Sequence, residues 1–174
     1  QFHFEGASAK EVLRCLSFYQ NPDGGFGHGL EPDCWNPDSS PIQTWAATEL
    51  LREIGWEDRE HPLVQGILRY LESGRDFDGR TWANCVPGNN GYPHAPWWHW
   101  SETEEITDNP TAALAGFYLA FGRKESGVYQ TAQRVAKQAA QAFFTKQNPD
   151  PHTLACYIRL WEYCRTAGAE ALIG

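Results

Sequence analysis

Apolar residues recur along this chain at helical spacing in six places, and no segment shows the strict alternation of a half-buried strand. Val12, Cys15, Leu16 and Tyr19 form the first stripe, behind Ser8 and Glu11 in a capping-box arrangement. Ala46, Ala47, Leu50, Leu51 and Ile54 form the second, which predicts a helix closed by Gly55, a residue free to take positive φ. Val64, Ile67, Leu68 and Leu71 form the third. Residues 111–121 are apolar on nearly every side, so the fourth helix is expected to lie inside, covered all round. Val128, Ala132, Val135, Ala136, Ala139 and Phe143 mark the fifth, and Leu154, Tyr157, Ile158, Trp161 and Cys164 the sixth.

The helix ends repeat. Ser40-Pro41, Asn109-Pro110 and Asp150-Pro151 open the second, fourth and sixth helices, each offering a capping side chain and then a proline at the first helical position. Gln20-Asn21-Pro22-Asp23 follows the first helix, and the same four residues, Gln147-Asn148-Pro149-Asp150, follow the fifth. The third ends in the looser Arg75-Asp76-Phe77-Asp78-Gly79. The chain therefore reads as all-α, with three helical hairpins at about 8–55, 62–122 and 127–168 in a stacked or closed array.

The connectors inside the hairpins are unequal. In the third hairpin Asp150 ends one element and caps the next, whereas residues 23–39 and 77–108 intervene in the first and second. A connector of roughly 30 residues without secondary structure of its own is uncommon, and is usually functional or disordered. The second contains Tyr92-Pro93-His94-Ala95-Pro96-Trp97-Trp98-His99-Trp100, too aromatic for a solvated linker, and should fold over and bury rings.

Composition narrows the classes. The chain has 174 residues, 41% hydrophobic and 21% charged, which is the balance of a folded domain. A net charge of -8 argues against nucleic acid as partner, because that binding relies on Lys and Arg neutralising phosphates. Eight Trp, nine Phe and seven Tyr make it aromatic-rich, and Met is absent. The first residue is Gln1, which reads as a fragment lacking at least its first residues. The longest apolar run, 112–121, is about half of a membrane span. Five Cys, an odd number without CxxC spacing, suit reduced thiols and a cytoplasmic location.

Asp23-Gly24-Gly25-Phe26-Gly27 after a helix, followed by a helix carrying Thr44-Trp45-Ala46-Ala47, resembles the repeat of terpenoid cyclases and protein prenyltransferases. The stretch from Asn21 through Gly27-His28-Gly29-Leu30-Glu31-Pro32-Asp33, with Pro37-Asp38-Ser39 and the Tyr92–Trp98 segment, is similar to an uncharacterised bacterial group of toroid proteins. The resemblance implies an α/α toroid, of which three hairpins make half of a closed twelve-helix ring, with an open edge suited to self-association. It does not carry the relatives' chemistry with it. Where protonating cyclases have Asp-x-Asp-Asp-Thr-Ala, this chain has Thr107-Asp108-Asn109-Pro110-Thr111-Ala112. Asp33-Cys34 lacks the residue that separates the zinc-binding Asp and Cys of prenyltransferases, and His152-Thr153 with Cys156 matches their histidine segment only loosely, so no metal is assigned and the cofactor stays unknown.

The residues offer competing roles. In a toroid, inner-helix N-termini converge beside the long connectors, bringing Glu31, Asp33 and Asp38 toward Asp108 and His152. Carboxylates so gathered can divide acid and base work, yet Asp also caps turns and helices. Asp23-Gly24-Gly25 reads as a tight turn with close backbone approach, not as a phosphate loop. His28 places an imidazole, the side-chain type able to titrate near neutrality, in a loop facing the expected cavity. Tyr92, Trp97 and Trp98 form either packing or a π-rich wall, for a carbocation or a sugar ring, and His94 and His99 read as hydrogen-bonded loop histidines.

Three functions follow. The first is a prenyltransferase- or cyclase-like toroid with an acidic, aromatic-lined cavity for a small organic molecule, its reaction unassigned. Asp38, Glu31, Asp33 and Asp108 are then the candidate acids, and His28, Tyr92, His94, Trp97 and Trp98 the candidate binding residues. The second is a carbohydrate-active α/α barrel using paired carboxylates. The third is a non-catalytic helical-repeat scaffold.

Overall fold

The computed structural model describes residues 5–6, 8–102, 107–145 and 149–174. Among them are six α-helices and no strand: α1 (Ala9–Leu16), α2 (Pro41–Glu53), α3 (Pro62–Glu72), α4 (Thr111–Phe121), α5 (Gly127–Thr145) and α6 (Pro151–Ala167). The all-α reading holds, and no described helix is long and apolar enough to cross a membrane. The chain divides into two compact units, Gln1–Ser73 with Cys85–Glu102, and Gly74–Asn84 with Thr103–Gly174. The division falls between α3 and α4, inside the stretch 62–122.

Side-chain caps fix most helix starts. Ser8 Oγ accepts from Glu11 N, and Ser40 from Gln43 N with Pro41 opening α2. Asp150 Oδ1 accepts from His152 N and Thr153 N, both at 3.0 Å, ahead of Pro151. Its predecessors Gln147 and Asn148, half of the repeated tetrapeptide, lie outside the described residues. The start of α4 differs from expectation. Pro110 stands at the cap position itself, not inside the helix, and no side chain caps it. The first helical residue, Thr111, instead exchanges hydrogen bonds with the backbone of Trp82, accepting from its N at 2.9 Å and donating to its O at 3.2 Å. A tertiary contact has replaced the local cap.

In the first unit, α1 buries Leu13 and Leu16, while Cys15 and Tyr19 of the predicted stripe are exposed. Leu13 and Leu16 form an i, i+3 pair with more apolar surface than Cys15. Beyond Leu16 the chain tightens into a 3-10 turn over Ser17–Tyr19, whose three residues per turn rotate Tyr19 off the helical face. Of the predicted stripe α2 buries Ala47 and Leu51, while Ala46, Leu50 and Ile54 are half-buried; it also buries Ile42 and the polar Gln43, Thr44 and Thr48. α3 buries Leu63, Val64, Ile67, Leu68 and Leu71.

The glycine turn after α1 is a docking element. Gln20 Nε2 donates to Gly24 O and to Leu63 O at 2.9 Å each, tying the turn to α3. Gly24 has φ +95°, and a Cβ there would sit 2.0 Å from the carbonyl oxygen of Gly66. The turn thus needs glycine for both reasons, conformation and space.

In the second unit, residues 111–120 of α4 are all buried, as an inner helix requires. α4 packs against α5 and α6. Gly116 lets α6 approach, since a Cβ there would lie 3.0 Å from Leu160 Cα. The face α6 turns inward is Thr153, Cys156, Tyr157, Leu160, Tyr163 and Cys164. Of the predicted stripe, Tyr157 and Cys164 are therefore buried, but Leu154, Ile158 and Trp161 are exposed, as is Phe143 on α5. Two overlapping apolar patterns share α6, and packing on Phe117 and Phe121 of α4 through Tyr163 selects the other one.

Candidate functional site

The two long loops of the first unit meet in a short antiparallel bridge between Cys34 and His94. Trp35 N donates to Pro93 O at 3.0 Å, and Ala95 N to Asp33 O at 2.8 Å. Beneath the bridge Cys34, Ile42, Cys85 and Trp98 form a buried cluster, with Trp45, Ala95 and Trp100 packed against it. Burial pushes the Cys34 thiol above its ordinary range. It is a packing residue, not a nucleophile.

Asp33 is the hub. Trp98 Nε1 donates to its Oδ1 at 2.5 Å and Trp97 Nε1 to its Oδ2 at 3.1 Å. Burying a tryptophan removes about 200 Å² from water, worth about 5 kcal/mol at the usual area coefficient, against about 1 kcal/mol net for a hydrogen bond. For the buried Trp98, packing therefore supplies the stability and the hydrogen bond sets the orientation. Trp97 is 64% exposed, so little packing restrains it and the bond to Asp33 is its main tether. Both carboxylate oxygens of Asp33 are thus engaged by indole donors, which suits a positioning role more than proton transfer.

A buried amide frame holds the loops in place. Asn36 Nδ2 donates to Asn89 Oδ1 at 3.0 Å, and Asn89 Nδ2 to Trp98 O at 3.0 Å. Gln43, on α2, donates to Asn36 O at 3.0 Å and accepts from Leu30 N at 2.9 Å. All three amides are fully buried. Buried polar groups persist only when paired, and these pair with loop backbone that would otherwise be unsatisfied. Sequence reasoning missed this frame. Its signal was modest: a Gln on the first turn of α2, and Asn in the turn-rich Pro87-Gly88-Asn89-Asn90-Gly91.

His28 sits at the rim with φ +60°. The Asn21 amide nitrogen is spent on Pro37 O and Ser39 Oγ, so its Oδ1 faces His28 Nε2 at 2.9 Å and requires that nitrogen to carry the proton. Nδ1 of the neutral ring is left as an acceptor. His28, Gly29, Trp35, Pro37 and Tyr92 line an open depression of ≈ 360 Å³. Trp35, which the sequence reading passed over, is 62% exposed with its Nε1 donated to Pro32 O at 2.9 Å. Its signal was a large ring in a segment with no helical period to bury it.

The remaining predicted residues are dispersed in role. Asp38 is exposed, its N donating to Asn36 Oδ1 at 3.0 Å, with Gly88 near its carboxylate. Glu31 is half-buried and its carbonyl accepts from Cys34 N. His94 Nδ1 donates to Tyr92 O at 2.6 Å, and its ring stacks on His99 with centroids 5.6 Å apart. Asp108 belongs to the second unit, where Tyr157 donates to its Oδ2 at 2.6 Å. Burial first, and that bond second, hold the Tyr157 hydroxyl above its ordinary pKa. The second unit also carries a groove of ≈ 390 Å³ lined by Phe143, Phe144, Leu154, Tyr157, Ile158 and Trp161 among others. Among the described residues no three His, Cys, Asp or Glu side chains converge as a metal-ligand set.

The loops around the depression carry one sign of charge. Residues 23–39 and 85–102 include Asp23, Glu31, Asp33, Asp38 and Glu102 and contain neither Lys nor Arg. Compared with known proteins, the chain matches no family model, no curated protein and no solved structure.

Proposed function

We propose that this is a small-molecule-binding protein of the α/α-toroid type, whose ligand seat is the aromatic depression on the first unit. The observation that carries this reading is the tethering of exposed rings. Trp97 and Trp35 are each more than half exposed, yet each has its indole N–H bonded within the loops, to Asp33 Oδ2 and to Pro32 O. Such rings offer π-faces at fixed positions, and pre-organised aromatic surface binds at low entropic cost. Acid–base catalysis draws less support, because Asp33 is engaged by both tryptophans. A diphosphate ligand at this seat also draws little, since no Lys or Arg occurs in either loop. The toroid assignment rests on the resemblance of Asp23-Gly24-Gly25-Phe26-Gly27 to the toroid repeat and on the fully buried α4. To test binding, a panel of ring-bearing small molecules is titrated against the whole chain, reading the indole N–H resonances of Trp35 and Trp97. Movement of neither resonance by any member would reject the seat.

A second reading is association of two copies through the α5–α6 groove. Its support is that α6 is apolar on a second face, with Leu154, Ile158 and Trp161 exposed beside Phe144. The end of a helical array ordinarily presents a polar face. Sedimentation of the wild type and of Trp161→Glu distinguishes the cases: a concentration-dependent dimer abolished by the charge supports pairing, and a monomer throughout rejects it.

A further inference from the structure

The depression on the first unit has features that narrow its ligand class, granting the binding seat proposed above. Its lining and the adjoining turn combine aromatic rings with polar atoms of acceptor character. Trp35 and Tyr92 supply rings in the depression itself, and Trp97 a third ring anchored to the same Cys34–His94 bridge. In its neutral form the His28 ring leaves Nδ1 as an acceptor, and Asp38 on the adjoining turn is exposed. The indole N–H groups of Trp35 and Trp97 are spent on Pro32 O and Asp33 Oδ2, so the platform does not use them to bind. A ligand suited to this surface presents an apolar face to the rings and hydroxyl donors at its edge. It carries no negative charge, because five carboxylates and no Lys or Arg lie in the two loops.

We infer that Trp35 and Tyr92 in the depression, with Trp97 tethered to Asp33 of the same bridge, form a stacking platform for an uncharged saccharide. A pyranose ring has this divided character: axial C–H groups on one face and equatorial hydroxyls around its rim. An organic cation also answers the charge, but cation–π recognition at full strength needs a desolvated enclosure of rings. Here Trp35 and Trp97 are 62% and 64% exposed, which is an open platform. More than one ring along the surface fits a ligand of several sugar units, each stacking separately.

The test uses the whole chain and uncharged oligosaccharides: cellohexaose, maltohexaose, xylohexaose and N-acetylchitohexaose, with tetramethylammonium and polygalacturonate as contrasts. Calorimetry and the indole N–H resonances are read together. The expected result is that at least one neutral hexasaccharide moves the Trp35 and Trp97 resonances, with Trp35→Ala and Trp97→Ala each weakening binding about tenfold. Both rings are exposed, so the variants should stay folded, and an unchanged far-ultraviolet dichroism spectrum verifies it. Polygalacturonate should bind more weakly than its neutral counterparts. If no neutral saccharide moves either resonance at about 10 mM, the saccharide assignment is overturned. Other ring-bearing ligands moving them would leave the seat standing while removing the sugar. Tetramethylammonium alone moving them would assign a cation site instead. Saccharide binding unaffected by both alanine variants would also overturn the platform.

Discussion

Asp33 and Trp98 are joined by a 2.5 Å hydrogen bond from the indole nitrogen to Oδ1. The ring is packed against Cys34, Ile42 and Cys85 with 9% of its surface exposed, so its N–H relies on this acceptor more than on water. The other carboxylate oxygen takes Trp97. Asp33→Ala removes both acceptors, and the orphaned buried donor should cost about 1–3 kcal/mol of stability by urea unfolding. Asp33→Asn keeps one acceptor oxygen and should lose less. In the alanine variant the exposed Trp97 also loses its tether, so its fluorescence anisotropy should fall while that of the core rings holds.

Gly24 has no room for a side chain. Its φ of +95° and the 2.0 Å separation of a built Cβ from Gly66 O oppose any substitution, and the obstacle is backbone rather than a movable side chain. Gly24→Ala should destabilise by more than the ~1 kcal/mol typical of point changes, as read by thermal unfolding. Gly79→Ala provides the contrast, since φ there is also positive, at +94°, but nothing lies within 4 Å. It should lose only the conformational part.

Asn89 links Asn36 to the carbonyl of Trp98 while fully buried. Asn89→Ala leaves a donor and an acceptor without partners, and a loss of about 2 kcal/mol in denaturant unfolding is expected. Amide exchange should speed up across residues 85–100 and little elsewhere. Uniform acceleration over the whole chain would show that the loop does not open separately.

Asp150 supplies a pH dependence of known sign. Partial burial raises its pKa, but hydrogen bonds from Thr153 and His152 outweigh this and hold it below the ordinary carboxylate value. The native state then binds the proton less readily than the unfolded chain. Its contribution is present at neutral pH and is lost as pH falls from about 4 through the lower native value. Asp150→Asn retains a capping oxygen without titrating. Relative to it, the wild type should gain stability above about pH 4 and lose that gain in acid, measured by unfolding at several pH values. Asp150→Ala should cost about 1 kcal/mol at neutral pH.

The helices were legible because periodicity and capping are local. Ser8, Ser40 and Asp150 cap where their sequence context says they should, and α4 is as uniformly buried as its composition implies. What local rules could not decide was competition. α6 carries two apolar stripes, and Gly116 with Tyr163 determines which one turns inward. Pro110 looked like a first-turn proline because its neighbour can cap, yet the contact of Thr111 with Trp82 fixes the start one residue later. The site was half visible. Its aromatic loop stood out by composition, but the pairing of Asp33 with two indoles spans more than sixty positions and leaves no mark on spacing. Asn36, Asn89 and Gln43 left only a modest signal for the same reason, since an amide that frames a loop reads much like a solvated polar residue.

Gln43 gives the loop a template that lies outside the loop. Its amide, fixed on a rigid helix, grips Leu30 N and Asn36 O from within, so the course of residues 30–36 is written largely in α2. Side chains that point outward, such as Trp35 and Asp38, can therefore be exchanged without rewriting the backbone that carries them. Ligand preference and foldability become separable traits. A library randomised at 28, 35, 38, 92 and 97 should retain folded members in far higher proportion than one randomised at 36, 43 and 89.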